Sequence, residues 1–175
     1  MNPAVLTLSD ALLQRVSDCI EGHTGLHFPE PRWVDLERGL VHAAREADSR
    51  DVRAYAESLI SRDLHAVDLE ILAGNLTIGE THFLRDPNAS AMLETVLLPG
   101  LIAAKRASNR RLRIWSAGCA SGEEAYSLAM LLDRLLPDIA DWQISILGTD
   151  LNPRALVRAT AGIYSEWSFR GTPDW

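Results

Sequence analysis

Apolar residues recur every three or four positions through the first part of the chain, and past residue 110 they crowd into short runs. In "LSDALLQRVSDCIEG", Leu12, Leu13, Val16 and Ile20 share one helical face, with Ser9 placed to cap it and Gly22 to end it. "PRWVDLERGLVHAAREA" repeats the design with Trp33, Leu36, Leu40 and Ala43. "DVRAYAESLISR" and "AVDLEILAGNLTIGETHFLRD" predict two more helices, and a fifth is expected from about Pro87 to Arg106. No strand pattern precedes residue 110. After it, "LRIWSAG" reads as a short strand ending in a turn, and "EEAYSLAMLLDRLLP" as a helix with Leu128, Leu131, Leu132 and Leu135 inward. "WQISILGTD" reads as a strand buried on both faces, and "NPRALVRATAGIY" as a helix with Pro153 near its start. Strand, helix, strand, helix predicts a parallel sheet, so "SAGCASGEE" and "GTDLNP" open on one edge, where such sheets bind ligands.

Two acids at the mouth of a small-residue turn decide what that edge can hold. The turn lacks the GK[ST] of a phosphate-binding loop, and Glu123 and Glu124 would repel phosphate. Gly118 and Gly122 are separated by three residues, which departs from G-x-G-x-x-G and leaves a dinucleotide as the weaker alternative. A carboxylate at the turn matches an ammonium group. Asp150, at the tip of the second strand, is placed to accept from two ribose hydroxyls. Ribose plus ammonium without phosphate describes S-adenosylmethionine. The competing reading is that Glu123 and Glu124 only complement the helix dipole.

Composition sets the outer limits. The chain has 175 residues, 47% hydrophobic and 23% charged, the balance of a globular protein with a core. Its formal charge of −7 argues against nucleic acid as a partner, since a polyanion needs a basic face. Residues 1–78 hold 7 basic residues against 13 acids; residues 79–175 hold 10 against 11. "KRASNRRLR" is basic but lacks aromatics to stack bases, which favours a solvated linker. Residues 1–10 lack the features of a secretory signal, and "VLLPGLIAA" is too short to span a bilayer. Cys19 and Cys119 stand 100 positions apart with no CxxC, so a cytoplasmic, reduced protein is expected, with Cys19 in the core and Cys119 filling space in the turn. His23 and His27 bracket Gly25 and read as structural, so no metal is expected.

"LTIGETHFLRD", "IWSAGCASGEEAYSLA", "GTDLNPRAL" and "AGIYSEWSFRG" together resemble the CheR-type chemotaxis receptor methyltransferases, along the whole chain. The forms "GETHFLRD" and "YSEWSFRGTP" are most similar to the subgroup that continues into tetratricopeptide repeats. The resemblance implies an α/β protein: an all-helical domain over 1–78, a connecting helix and linker over 79–110, and over 111–175 the first part of a Rossmann-like S-adenosylmethionine-dependent methyltransferase sheet. The family's sheet has more strands than the two found here. It implies methyl transfer to glutamate side chains of chemoreceptor-type signalling helices, giving methyl esters and S-adenosylhomocysteine. The alternative is a non-catalytic cofactor-binding or interaction module.

Carried over by position, the resemblance has Arg85 pairing with the cofactor's carboxylate and Thr81, four residues earlier on the same face if helical, bonding nearby. Glu124 accepts from the amino group, with Glu123 more suited to capping, and Asp150 holds the ribose. Gly79 stands where many members carry asparagine, leaving a backbone contact only. No catalytic acid or base is called for, because the sulfonium is already activated and a glutamate is already ionised at neutral pH. Arg38, His42 and Arg45, at i, i+4 and i+7, form a stripe for receptor docking. A bare sheet edge is expected to favour self-association.

Overall fold

The computed structural model describes residues 7–172, so residues 1–6 of the leader reading and the end of "YSEWSFRGTP" lie outside it. These residues form two compact units, one up to Ile78 together with Leu151–Pro153, the other Gly79–Asp150 and Arg154 onward.

In the first unit, α1 (Asp10–Thr24), α2 (Trp33–Glu46), α3 (Val52–Ser61) and α4 (Ala66–Leu76) pack around fully buried Leu13, Val16, Ile20, Leu36, Leu40, Leu59 and Leu72. The expected apolar faces of α1 and α2 are the buried ones. Helix α1 ends later than Gly22 suggests. It runs on to Thr24 and stops at Gly25, whose left-handed φ of 74° lets its N–H reach Glu21 O at 2.8 Å. Ser9 precedes α1 but caps it with its carbonyl, which accepts from Leu12 N at 2.9 Å, rather than with its hydroxyl. Cys19 is half-buried at the rim of the core, not within it, and its thiol donates to Leu59 O at 3.5 Å. Asp68 locks α4 in place: it accepts from His65 N at 2.9 Å and from both terminal nitrogens of Arg62 at 2.8 Å.

Helix α4 stops at Leu76, well short of "THFLRD". Thr77 turns extended and folds its hydroxyl back onto Ala73 O at 2.6 Å. Residues 77–86 are not helical, so Thr81 and Arg85 do not share a helix face.

In the second unit, α5 (Pro87–Met92) and α6 (Leu98–Arg106) form one helical run through a π turn at Leu93–Leu97. Asp86 caps it by accepting from Asn88 N and Ala89 N. Strand β1 (Arg111–Ala117) pairs in parallel with β2 (Gln143–Thr149), and α7 (Glu123–Leu135) connects them; α8 (Pro153–Ala161) follows. Leu112, Leu131, Leu132, Leu136, Ile102 and Trp142 form this unit's core. The expectation that β2 is buried on both faces fails. Its residues alternate between half-buried and exposed, and Leu147 lies 59% exposed beside its register partner Trp115 at 68%. Ile102 of α6 and Leu131 and Leu132 of α7 cluster with Leu112, Ile114, Ile144 and Ile146, which share the other face of the sheet. The basic stretch near residue 106 is tied down rather than free: Arg106 forks onto Asp138, and Arg110 pairs with Asp141 at 3.1 Å.

Candidate functional site

Register fixes the site. Ala117 and Thr149 are partners at the carboxyl ends of the two strands, so the turn after β1 and Asp150 after β2 open side by side. The turn doubles back sharply, with Gly118 at φ 74°, Ala120 at 47° and Gly122 at 98°. Thr149 O accepts from Gly118 N at 2.7 Å and Cys119 N at 2.9 Å, and Asp150 Oδ2 accepts from Ala120 N at 2.8 Å. Gly122 is required twice over. Its φ disfavours other residues, and a Cβ there would sit 2.9 Å from both Ala159 Cβ and the Tyr164 hydroxyl.

The two acids that open α7 have different surroundings. Glu124 is exposed, and its Oε1 accepts from Ser116 Oγ at 2.5 Å. Glu123 is 3% exposed; Ser121 Oγ donates to its Oε2 at 2.7 Å and Ser168 Oγ to its Oε1 at 3.1 Å. A pure dipole role does not separate the pair in this way, since both lie in the first turn.

Arg85 is exposed and donates through Nη1 to Glu80 O at 2.7 Å. The chain just before it is pinned: Leu84 N donates to Ser127 Oγ at 3.0 Å and Phe83 N to Ser168 O at 2.9 Å. Phe83 also stacks on Phe169 at 4.6 Å and meets Tyr164 edge-on at 4.9 Å. The structure therefore brings Glu124 and Asp150 to one turn, and ties the Arg85 segment to the first turns of the same helix. Thr81 is half-buried and Gly79 exposed in the extended stretch leading to Arg85. A Cβ at Gly79 would lie 4.0 Å from Arg158 Nη2, ordinary contact distance, so the glycine is not sterically imposed.

Electrostatics set the neighbouring groups apart from nucleophilic chemistry. Burial pushes the Cys119 thiol up, with Asp150 adding to it, so the thiol stays protonated. Burial lowers the His82 imidazole, helped by Arg170 and Arg85. Burial and nearby Glu123 push Tyr164 up to about 12, keeping its hydroxyl a donor to Ser121 O at 2.7 Å. Among the described residues no group of three or more His, Cys, Asp or Glu side chains could hold a metal ion. His23 Nδ1 lies 2.8 Å from Cys19 O, and His27 pairs with Glu21.

Ser116, Ser127, Ser168 and Tyr164 are the site residues that sequence reasoning missed. Ser116 stood in an inward strand position and Ser127 four residues after Glu123, which was signal enough for those two. Tyr164 and Ser168 lie within "AGIYSEWSFRG", but they act across more than forty residues, and the motif does not show what they touch.

Residues 79–174 match the family model described as CheR methyltransferase, SAM binding domain. A probable chemotaxis protein methyltransferase of Rhizobium etli is 39% identical over 114 residues, 65% of this chain and 42% of its own length. Chemotaxis protein methyltransferase 2 of Vibrio cholerae is 26% identical over 174 residues, 99% of this chain and 59% of its own. The chemotaxis protein methyltransferase of Listeria monocytogenes is 41% identical over 99 residues, 57% of this chain and 36% of its own. The chain spans about half the length of the curated relatives it matches. With the family model matching more than half of its residues, and with two carboxylates set at the ends of paired parallel strands, the chain belongs to the CheR methyltransferase family.

Proposed function

We propose that the protein carrying this chain transfers a methyl group from S-adenosylmethionine to glutamate side chains of chemoreceptor-type signalling proteins, forming methyl esters. The observation that carries the reading is the set of charged groups at one sheet edge. Exposed Glu124 lies in the first turn of α7 after β1, Asp150 follows β2, and Leu84, the neighbour of Arg85, donates to Ser127 of α7. That set matches the cofactor's chemistry: carboxylates for an ammonium and for ribose hydroxyls, and a guanidinium fork for a planar carboxylate. S-adenosylmethionine supplies a methyl group already activated on a sulfonium.

The chain's own residues then have a limited task. Arg85 binds and orients the amino-acid end by its carboxylate. Glu124 accepts from the amino group, and Asp150 holds the ribose hydroxyls. Thr81 and the Gly79 backbone complete the approach to Arg85. The acceptor glutamate is ionised at neutral pH, so in-line placement and exclusion of water replace acid–base catalysis. Arg38, His42 and Arg45 form the proposed receptor-docking stripe, and all three are exposed on α2. Continuation into tetratricopeptide repeats and a cytoplasmic location complete the reading. No helix among the described residues is long and apolar enough to cross a membrane.

Titration calorimetry of the full-length protein with S-adenosylhomocysteine tests the site. Arg85→Ala and Asp150→Ala should each weaken binding by about 1.5–3 kcal/mol, the range for a hydrogen bond to a charged group. Unchanged affinity in both variants would sink the assignment.

A further inference from the structure

Glu123 does more than open a helix. It is a carboxylate 3% exposed with no ion-pair partner among the described residues, and such burial is unfavourable unless both oxygens are hydrogen-bonded. Both are: Oε2 takes the hydroxyl of Ser121 in the turn, and Oε1 takes that of Ser168 in the segment after α8. Its main-chain carbonyl takes a third hydroxyl, that of Ser127, at 2.6 Å. Those last two serines are the ones that pin the chain before Arg85, Ser127 by accepting from Leu84 N and Ser168 by accepting from Phe83 N. Leu84 itself sits at φ 51°, a left-handed conformation that a leucine seldom adopts and that persists only where the surroundings impose it. Arg85 is the next residue. Its position relative to the acidic turn is thus set through two short relays, one from the Glu123 main-chain carbonyl through Ser127, which any residue would supply, and one from the Glu123 carboxylate through Ser168, which only this side chain supplies.

We propose that the Glu123 carboxylate is a positioning group, a latch that fixes Arg85 against the Glu124–Asp150 turn by its hydrogen bond to Ser168, whose carbonyl holds Phe83 N. The inference rests on the reading of Arg85 as the ligand of the cofactor's carboxylate. It assigns Glu123 a geometric task and leaves charge recognition to Glu124. The isosteric amide can serve Ser121 and Ser168, the two serines bonded to the carboxylate, because a serine hydroxyl both donates and accepts.

The experiment uses the full-length protein and two probes: S-adenosylhomocysteine, and 5′-methylthioadenosine, which keeps the nucleoside but lacks the amino-acid end. Glu123→Ala should weaken S-adenosylhomocysteine binding by about tenfold, the loss of one charged hydrogen bond at Arg85, while methylthioadenosine affinity stays within about twofold. Glu123→Gln should remain within about threefold of wild type for both probes. Ser168→Ala, a milder change, should show the same split between probes if Glu123→Ala does not fold. Equal losses for both probes would mean general loosening of the site and overturn the latch. Glu123→Gln as weak as Glu123→Ala would mean that charge acts directly on the ligand, and would overturn it too. Arg85→Ala with unchanged S-adenosylhomocysteine affinity would instead overturn the cofactor reading, and the latch with it.

Discussion

Removing one hydroxyl from the helical unit should have opposite effects at two buried positions. Tyr55 is 5% exposed, and its hydroxyl has no hydrogen-bond partner among the described residues; burial pushes it up to about 12, with Asp68 adding to the shift. Ser17 is 1% exposed, but its hydroxyl donates to Phe28 O at 3.0 Å and ties the loop after α1 to that helix. An unmade hydrogen bond leaves the full desolvation penalty of the polar group in the native state, whereas a made one offsets it. Tyr55→Phe should therefore be neutral or stabilising by about 1 kcal/mol, and Ser17→Ala destabilising by about 1–2 kcal/mol, since it also strands the Phe28 carbonyl. Urea unfolding of the two variants beside wild type decides it. A clear loss of stability in Tyr55→Phe would show that its hydroxyl is satisfied after all.

Between elements, the joint from α6 to the connection before β2 is held by charge. Arg106, in the last turn of α6, forks onto Asp138 and also lies 5.4 Å over the Trp142 ring. The guanidinium holds the Asp138 carboxyl at about 2, below the ordinary carboxylate value of about 3.9. The native state thus prefers the ionised form more than the unfolded chain does. That preference contributes stability fully above about pH 4 and loses it as pH falls toward 2. The stability difference between wild type and Asp138→Asn should be constant from pH 7 to about pH 4.5 and shrink below that. Parallel stability curves down to pH 2 would remove the ion pair from the account. The stretch that reads as a solvated linker is an exposed turn between α6 and β1, but Arg106 and Arg110 at its ends meet Asp138 and Asp141 more than thirty residues on, a pairing that composition cannot display. Legibility followed distance along the chain. The helical faces of α1 and α2, the parallel β1–β2 order and the turn carrying Glu124 were readable because each is fixed by residues within a few positions. The end of α4 was not, because Thr77 breaks the helix with its own hydroxyl while the apolar period continues past it. Nor was the exposure of Leu147, since an apolar run cannot report which face of a strand a helix covers. At the proposed site, the places of Glu124 and Asp150 after the strands were readable, whereas the bond of Ser168 to Glu123, across forty-five residues, was not.

At the scale of the whole chain, net charge −7 with the excess of acids in the first 78 residues bears on the proposed docking to signalling helices. Those 78 residues offer no broad attraction to an acidic partner, so any steering by them is local. Arg38, His42 and Arg45 are exposed along α2, while Trp33, Leu36, Leu40 and Ala43 of the same helix are buried, so the stripe faces solvent. Part of its charge is already answered: Asp35 pairs with Arg38 at 2.5 Å and with Arg32 at 3.7 Å. Arg45 has no ion pair among the described residues and should carry the larger share of any effect. Reversing Arg38 to glutamate places another acid beside Asp35, while the Arg45 reversal lies ten residues further along α2, and the two cost about 0.5 kcal/mol of stability as exposed helix charges. That cost is too small to unfold a domain, so a change in rate can be read as a change in docking. In the full-length enzyme the double reversal should slow receptor methylation at low salt while S-adenosylhomocysteine affinity stays constant. The difference should fade as salt rises, because exposed charges are screened over about 8 Å at physiological ionic strength. Arg45→Glu alone should give more of the slowing than Arg38→Glu alone. Equal methylation rates for wild type and the double reversal at low salt would leave the stripe as a solvated helix face.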